Sequence, residues 1–447
     1  MIYKINLPDI SNIKVERILD LLKRKESKDI IFGSIYPDYL CWDKVKYNKH
    51  IPADMTQEEA WALVKYARNN LMFKYESVIH NEKGKNFSWL YNFPKFEQFF
   101  HEIDLDLGGN LLATKKDIDD QLRHKFIARG IMEEAIASSQ LEGANTTRKA
   151  AKQMLMEGRK PKTKDERMVL NSYQAMKLVE EELKDKKLSY DLLMQLHATI
   201  TKETLDNEKD EGKIRGEGDD VYVMNSTDGT IYHVAPDYKF IKKEIEKLIG
   251  YANDDLEDKF FVHPVIKAIL LHFWVAYLHP FADGNGRMAR VLFYWYLLRK
   301  NYWGFAYLPL SRIIKNSWGQ YRDAYIYTEQ DDNDLTYFID YNIRKIQQAK
   351  REFENYVEEK KKENIKMARV SQLKYGLNER QVSLLKYFYK SKDASTTVKI
   401  YLNINEISRA TAIADLKELV KNEFLSRKKI GKEVHFYPAE KVGKLFN

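Results

Sequence analysis

The apolar stretch from Phe260 to Phe281 constrains the fold of this chain more than any other part of its sequence. It is about as long as a helix that spans a membrane. Polar, charged and ring-constrained residues interrupt it, namely His263, Pro264, Lys267 and His272. We therefore predict a buried core helix and no membrane partner. Because helical spacing of apolar residues also dominates the rest of the chain, the fold class is predicted to be mainly α.

The composition is that of a soluble globular protein with more than one domain. Hydrophobic residues make up 44% and charged residues 31% of the 447 residues, which provides enough apolar surface for a sizeable core. At roughly 100 to 200 residues per domain, this length allows two to four domains. The first residues lack a secretion signal, and the single Cys41 permits neither an intramolecular disulfide nor a cysteine-based zinc site. We expect a cytoplasmic protein.

Changes in pattern divide the sequence into four segments. We predict an N-terminal helical region at 1–120, a core segment at 121–345, a charged linker helix at 346–376 and a C-terminal domain at 377–447. The proline-free stretch before Gly376 is highly charged, which favours an exposed helix between two domains.

The last segment has the element order of a winged helix-turn-helix domain: three helices followed by a hairpin. From Leu377 to the end it carries 14 Lys and Arg against 8 Asp and Glu, an excess of +6. Ser408 would open the recognition helix, and basic hairpin residues such as Arg427 would contact phosphates. Winged helices also dock on proteins, and an excess of +6 is modest for a DNA-binding domain. A DNA partner and a protein partner therefore both stay open.

One acidic residue in the core segment stands in an unfavourable place. Apolar spacing predicts a helix from Asp117 to Leu141, and Gly143 is a plausible stop. Glu142 then lies at the negative end of the helix dipole, which costs about 0.3 to 1 kcal/mol unless a cation compensates it. We therefore expect Glu142 to have a basic partner.

A β-hairpin is predicted at 221–234. The residues at 221–225 and 231–234 alternate like strands, and Asp228 with Gly229 favours a tight turn between them. This hairpin is the only strong β signal before the C-terminal segment.

The loop from His279 to Arg290 carries the chemistry. Gly284 and Gly286 lack side chains just before a predicted helix, so that backbone N–H groups can approach an anion at the positive helix terminus. Arg287 and Arg290 lie on one face of that helix and add two planar groups suited to phosphate oxygens. These features predict a phosphate site.

Two further residues of this loop extend the phosphate site to a reactive nucleotide. Asp283 is a hard oxygen ligand for Mg²⁺, which proteins hold through one or two carboxylates together with substrate phosphates. His279 titrates near neutrality and could remove a proton from a hydroxyl that attacks phosphorus. The loop therefore predicts a nucleoside triphosphate site with a general base.

The same loop resembles the Fic family motif HxFx(D/E)GNGRxxR at every defining position. The resemblance implies that His279 is the general base and that Asp283 holds Mg²⁺. It further implies that Asn285 and the backbone from Gly284 to Gly286 bind the α- and β-phosphates. Arg287 and Arg290 would bind the distal phosphates, and Phe281 would anchor the loop in the core.

Other segments between about Ala135 and Ile343 also resemble the family. The hexapeptide from Ser138 to Gly143 resembles the inhibitory sequence (S/T)xxxE(G/N), with Ser138 and Glu142 at its defining positions. This resemblance implies the class with an N-terminal inhibitory helix, in which Glu142 pairs with Arg290.

Two more segments resemble parts of the family fold. The hairpin at 221–234 resembles the flap whose edge pairs with a target peptide. The stretch from Gly212 to Arg215 resembles the GxYR element, but Ile214 replaces the tyrosine and we assign the stretch no role.

The resemblance implies a protein adenylyltransferase with a Fic-type helical core. Such an enzyme transfers AMP from ATP to a Ser, Thr or Tyr hydroxyl of a protein in the presence of Mg²⁺, and here Glu142 would inhibit it. The same pocket could remove AMP, with Glu142 positioning water. The alternative is a nucleotide-sensing, DNA-binding transcriptional regulator that uses the winged helix. The sequence leaves the target protein and the oligomeric state open.

Overall fold

The structure is a computed structural model of the chain. It describes residues 1–91, 93–108, 120–225, 227–256, 258–390, 394–431 and 433–446, without the side chains of 94, 120–125, 360–374, 390 and 444–446. Helices dominate the described residues, which confirms the predicted mainly α fold class. Within these residues no helix has both the length and the apolar character needed to cross a membrane.

The region before residue 108 is not wholly helical, which corrects the sequence prediction. Its helices are α1 (Val15–Leu22), α2 (Lys25–Gly33), α3 (Trp42–Val45), α4 (Gln57–Tyr66) and α5 (Pro94–Leu107). Strands β1 (Lys74–His80) and β2 (Asn86–Leu90) form an antiparallel hairpin between α4 and α5. The sequence analysis missed this hairpin because its strands alternate only in part and its turn lacks an Asn-Gly or Asp-Gly pair.

The first region contributes to two hydrophobic clusters. Helices α1 to α4 enclose a small cluster of their own that includes Trp42 and Trp61. The β1–β2 hairpin and α5 instead contribute residues such as Trp89 and Phe99 to the main core of the molecule. Packing therefore continues across the segment boundary predicted at 120.

The core segment is built around two buried helices. Its helices before the catalytic loop are α6 (Asp120–Leu141), α7 (Arg148–Glu157), α8 (Lys164–Leu178), α9 (Tyr190–Thr201), α10 (Tyr238–Ala252) and α11 (Pro264–Leu278). Helices α12 (Asn285–Arg299), α13 (Leu310–Lys315), α14 (Trp318–Gln330) and α15 (Thr336–Tyr375) follow it. Almost every residue of α11 and α12 is buried. The predicted core helix is confirmed, and the loop that joins it to α12 is the predicted site.

Helix α15 differs from the predicted exposed linker. It begins at Thr336, and its first turns pack in the main core, where Phe338, Ile346 and Ala349 are buried. The prediction of an exposed helix rested on the charged later turns and overlooked the apolar first turns. The helix ends at Gly376, whose φ of 64° closes it in the left-handed conformation.

The C-terminal segment has the predicted order of elements with one additional strand and helix. Its helices are α16 (Glu379–Lys390), α17 (Val398–Asn405), α18 (Arg409–Lys421) and α19 (Glu440–Phe446). Strands β5 (Thr396–Thr397), β6 (Leu425–Ile430) and β7 (Glu433–Pro438) form a sheet in the order β5–β7–β6. The Ser408 side chain accepts a hydrogen bond from the Thr411 N–H and caps α18.

The predicted flap is present as an antiparallel hairpin of β3 (Tyr222–Met224) and β4 (Ile231–Val234). Its turn passes through Gly229 with a φ of 70°, and Ser226 of the turn lies outside the described residues. Residues 1–3 run parallel to β4 along its other edge. Strand β4 therefore lies between β3 and the segment of residues 1–3.

Candidate active site

His279 stands where helix α11 ends. Its φ of 47° and ψ of 55° are left-handed, so the chain turns sharply there and leads into the loop. Its Nδ1 lies 3.1 Å from the carbonyl oxygen of Ala276. A proton on Nδ1 satisfies this contact and leaves Nε2 with a free lone pair. Burial, reinforced by the positive His233, lowers the pKa of His279 to about 4, so the ring is neutral at pH 7 and able to accept a proton.

Hydrogen bonds within the loop fix its shape. The side chain of Asn285 accepts from the N–H of Phe281 at 2.9 Å and donates to the carbonyl of Phe281 at 2.8 Å. Phe281 is fully buried, as the sequence predicted. Asn285, which the resemblance assigns to phosphate binding, thus also closes the loop between His279 and α12.

Two residues without an assigned role in the sequence hold this loop from outside. His197 on α9 is fully buried, stacks on the Phe281 ring at 3.8 Å and contacts the Asp283 carbonyl through Nε2 at 2.9 Å. Gly212 donates its N–H to His197 Nδ1 at 3.0 Å. Burial lowers the pKa of His197 to about 4, so it is a neutral positioning group. Its helical spacing with neighbouring leucines gave it the pattern of an ordinary core residue.

Arg215 is the second supporting residue. Its Nε donates to the His279 carbonyl at 3.1 Å, and its other nitrogens donate to the Asp219 carbonyl at 2.6 Å and to the Pro236 carbonyl. The backbone N–H of Arg215 donates to the Pro280 carbonyl. This single guanidinium therefore ties the backbone of His279 to the residues on both sides of the flap. The resemblance to the GxYR element was the signal in the sequence that pointed to it.

The N-terminus of α12 forms a concave site for an anion. Gly284 has a φ of 83°, and a Cβ on it would lie 2.8 Å from Thr201 Cγ2, so that only glycine fits. Arg287 is 1% exposed and donates to the Ile200 carbonyl at 2.9 Å. Its Nε and one Nη have no hydrogen-bond partner among the described residues. A buried arginine with unused donors beside a helix N-terminus is suited to bind phosphate.

A carboxylate already lies in this anion site. Glu142 Oε1 is 2.7 Å from Arg290 Nη2, and Ser138 accepts further hydrogen bonds from Arg290 through its hydroxyl and its carbonyl. A Cβ on Gly286 would lie 2.2 Å from Glu142 Oε1. Burial opposes the charge on Glu142, but the Arg290 guanidinium holds the pKa of Glu142 below its ordinary value. The acid at the end of α6 thus has the basic partner that its position required.

The flap is anchored to the end of α11, beside His279. His233 on β4 contacts Glu329 Oε2 through Nδ1 and the Tyr277 carbonyl through Nε2, each at 2.8 Å. Burial opposes protonation, but the Glu329 carboxylate holds the pKa of His233 above its ordinary value. The His233 and His279 rings are 6.4 Å apart. The flap therefore borders the base directly.

Asp283 has the surroundings that a magnesium ligand needs. It is exposed, and one of its oxygens accepts the N–H of Gly284 at 2.5 Å. Its other oxygen lies 3.6 Å from the nearest nitrogen of Arg287. Magnesium requires few protein ligands where substrate phosphates supply the rest. A single outward carboxylate beside the anion site fits that requirement.

The family model described as "Fic/DOC family" matches residues 187–297. Residues 187–297 of this chain therefore form a Fic domain. The matched stretch begins just before α9 and ends within α12, so it contains the whole catalytic loop and the flap. Glu142, Ser138 and the C-terminal segment lie outside it.

Curated relatives resemble only part of the chain. The protein adenylyltransferase Fic of Nematostella vectensis is 39% identical over 72 residues, which is 16% of this chain and 16% of that protein. The protein adenylyltransferase fic-1 of Caenorhabditis briggsae is 29% identical over 115 residues, or 26% and 20% of the two chains. The matches thus span about a fifth or less of these relatives.

A solved structure supports the Fic fold over a longer stretch. A fragment of Fic-1 from Caenorhabditis elegans with a Glu to Gly substitution superposes with a TM-score of 0.51 at 15% sequence identity. The superposition covers 78% of this chain and 88% of that one. At this identity the likeness concerns the fold alone, and the chemistry has to be argued from the site.

Proposed function

We propose that this Fic protein transfers AMP from ATP to the hydroxyl of a Ser, Thr or Tyr residue of another protein. One observation carries the proposal. The neutral His279 lies beside the N-terminus of α12. That helix end is suited to phosphate, because it contains Gly284, Gly286 and the buried Arg287, which has unused hydrogen-bond donors. The names of the curated relatives, which are protein adenylyltransferases, favour this activity over a nucleotide-sensing DNA-binding regulator.

In the proposed reaction the hydroxyl oxygen attacks the α-phosphorus, and the bond from that phosphorus to the bridging oxygen breaks. His279 Nε2 takes the hydroxyl proton, and diphosphate leaves with the bond electrons. The resulting imidazolium is stabilised where Nδ1 donates to the Ala276 carbonyl. Backbone N–H groups around Gly284 and Gly286, together with Asn285, Arg287 and Arg290, orient the phosphates.

Asp283 would hold a magnesium ion through its exposed carboxylate, and this ion would neutralise charge on the phosphates. The Asp283 oxygen that would coordinate the ion is the one that lies 3.6 Å from Arg287 and does not accept the Gly284 N–H. The proposal needs no other protein ligand.

We further propose that Glu142 keeps the enzyme inhibited. The Glu142 carboxylate fills the space over Gly286 and pairs with Arg290. A triphosphate would need the same space and the same guanidinium. Ser138 supports this state because it accepts two hydrogen bonds from Arg290. Removal of AMP from a modified protein, with Glu142 positioning water, uses the same arrangement.

The remaining parts of the proposal concern the surroundings of the site. The target protein docks on the hairpin at 221–234, and the reaction occurs in the cytoplasm. The C-terminal segment, read as a winged helix, offers exposed Arg427, Lys428 and Lys429 on β6 for a DNA or protein partner, which a binding assay over a salt series would tell apart.

The test is to measure incorporation of α-labelled ATP into protein by wild type and by Glu142→Gly. We expect weak self-labelling by wild type and strong self-labelling by Glu142→Gly, because the variant frees Arg290 and lets the α-phosphorus align with the hydroxyl. Glu142→Gly combined with His279→Ala is the matched inactive control. Glu142→Gly combined with Arg290→Ala should lose the gain, and such non-additivity would indicate coupling. Equal labelling by wild type and Glu142→Gly would refute the inhibition.

A further inference from the structure

The edge of the flap that faces away from β3 is occupied by residues of the same chain. Ile231 donates its N–H to the Met1 carbonyl at 2.9 Å, and Tyr3 donates its N–H to the Ile231 carbonyl at 2.8 Å. Ile2 is the parallel partner of Ile231. Both main-chain groups of Ile231 are thus used by this added strand.

Side chains beside the flap hold the strand in register. Gln330, the last residue of α14, donates to the Tyr3 carbonyl at 2.9 Å and accepts the N–H of Ile5 at 2.8 Å. The Tyr3 ring packs edge-on against the Tyr232 ring at 5.9 Å. Tyr232 in turn lies under the Arg322 guanidinium at 5.0 Å. The flap edge therefore has a binding position for one aromatic side chain, formed by the Tyr232 ring.

The strand is held weakly enough to leave. Met1, Ile2 and Tyr3 are 99%, 53% and 40% exposed, so their pairing buries little apolar surface. A segment with few buried contacts and solvent-exposed backbone hydrogen bonds opens locally at low cost. Another extended segment can take its place, because main-chain pairing makes little demand on sequence.

The register determines which side chain faces the base. Alternation puts Tyr3 and Tyr232 on one face of the strands, and puts Ile2 and Lys4 on the face of His233. His233 borders His279 at 6.4 Å between ring centres. The residues on that face have no hydroxyl, and the Tyr3 hydroxyl belongs to the opposite face. Residues 1–5 therefore occupy the edge without offering a group that the proposed reaction could modify.

We propose that residues 1–5 form a displaceable internal strand that masks the target-docking edge of the flap. The segment that replaces it runs parallel to β4, packs an aromatic side chain on Tyr232 and carries its reactive hydroxyl at the following position, where Lys4 stands now. This inference rests on the proposed function for the identity of the edge as the target site. It adds a second form of inhibition, which acts on target docking and is independent of Glu142.

The docking part of the inference can be tested without catalysis. The probe is a fluorescent peptide of residues 1–10, titrated onto full-length chains that carry Tyr3→Pro or Tyr3→Phe. Proline removes the N–H that pairs with Ile231, whereas phenylalanine keeps both the N–H and the ring. We expect the peptide to bind the Tyr3→Pro chain at least about tenfold more tightly, because an internal strand competes at high effective concentration. Equal binding to the two chains, or binding to neither, would overturn the proposal.

The register is tested in the Glu142→Gly background with Tyr3→Pro, labelled ATP and two peptides. The peptide with Lys4→Ser should become labelled at that serine, and the matched peptide with Lys4→Ala should not. Self-labelling of the Glu142→Gly chain is the control for the proposed function. Self-labelling without peptide labelling would contradict the register alone, whereas absence of both would contradict the proposed transfer and leave the binding experiment to decide the docking.

Discussion

At the scale of single residues, the site depends on features that keep His279 neutral and able to accept a proton at Nε2. Its left-handed backbone brings the ring beside the anion site, and the Ala276 carbonyl selects the tautomer with a free Nε2. Burial and the positive charge of His233 both oppose protonation of this ring. The residue is therefore in its accepting form before any substrate arrives.

The lowered pKa of His279 gives a pH dependence with a definite sign. A base with a pKa of about 4 stays neutral between pH 8 and pH 5, whereas an ordinary imidazole would lose activity near pH 6.5. In the Glu142→Gly variant the loss of a nearby carboxylate lowers this pKa further. We expect kcat/KM for transfer to stay level from pH 8 to pH 5, with circular dichroism as the control for folding. A halving of kcat/KM near pH 6.5 would contradict this assignment.

Arg215 is expected to act by positioning. Lysine at this place keeps the charge but cannot reach the three carbonyls that the guanidinium joins. In the Glu142→Gly background, Arg215→Lys should lower kcat about 10²-fold through misplacement of the base, while ATP affinity stays within about twofold. The matched control is Lys213→Ala, two residues away and exposed. An unchanged kcat, or a loss of ATP binding equal to the loss of rate, would argue against positioning.

The sequence was most informative about residues that carry chemistry and least informative about those that support them. His279, Asp283 and the two arginines stand at fixed spacing in one continuous loop, so their grouping could be predicted without tertiary structure. His197 supports that loop from a helix more than eighty positions earlier. Its contact depends on the packing of α9 against the loop, which local pattern does not encode. For the same reason Glu142 could be given a basic partner from its helix position, but Arg290 was identified only through the family resemblance.

At the scale of elements, the N-terminal turn of α12 is proposed to serve both phosphate binding and inhibition by Glu142. In the proposed mechanism it admits a phosphate to the backbone, and in the proposed inhibited state it excludes one. Gly286 permits both, because its missing side chain is the space that the Glu142 carboxylate fills. The residue after α6 supplies the carboxylate, and α12 supplies both the space at Gly286 and the cation at Arg290.

The variant Gly286→Ala should displace the Glu142 carboxylate without activating transfer. The Cβ of Gly286→Ala would lie 2.2 Å from Glu142 Oε1 and has to push the carboxylate from Arg290. The same methyl would block the close approach of phosphate to the backbone. We therefore expect Gly286→Ala to remain inactive, and Gly286→Ala with Glu142→Gly to lose most of the labelling that Glu142→Gly gains.

The matched control for this change is Gly319→Ala, in the first turn of α14, where an added Cβ meets nothing within 4 Å. Labelling and calorimetric ATP binding are measured for both alanine variants. Strong labelling by the double variant would mean that phosphates do not lie over Gly286.

Strands were predicted less well than helices, for a physical reason. The flap has an Asp-Gly turn and alternating residues, and it was predicted within one residue at its start. The β1–β2 hairpin has a longer turn closed by Gly84, and its strands are stabilised by burial of residues such as Tyr75 and Trp89 in the main core. Strand formation that depends on tertiary burial leaves a weak local signal.

At the scale of the whole molecule, a buried ion pair joins the first region to the core. Lys65 on α4 is 2.8 Å from Asp331 and 2.7 Å from Asp332, just after α14. Asp331 also accepts a hydrogen bond from the Tyr337 hydroxyl at 2.7 Å. Because residues 1–5 reach the flap from this first region, we expect its docking to help to keep the internal strand on the edge.

Replacing Lys65 with methionine should loosen this docking and release the strand. The change leaves the Asp331 carboxylate buried without its cation, and such a loss typically costs about 3 to 5 kcal/mol. We expect a lower urea midpoint when unfolding is followed by tryptophan fluorescence, to which Trp42 and Trp61 of the small cluster in the first region contribute. The exposed Lys44→Met is the matched control and should change stability by less than about 0.5 kcal/mol. If the strand depends on this docking, Lys65→Met should also bind the peptide of residues 1–10 more tightly than Lys44→Met does. A destabilised variant that still excludes the peptide would show that Gln330 and the flap retain the strand without the first region.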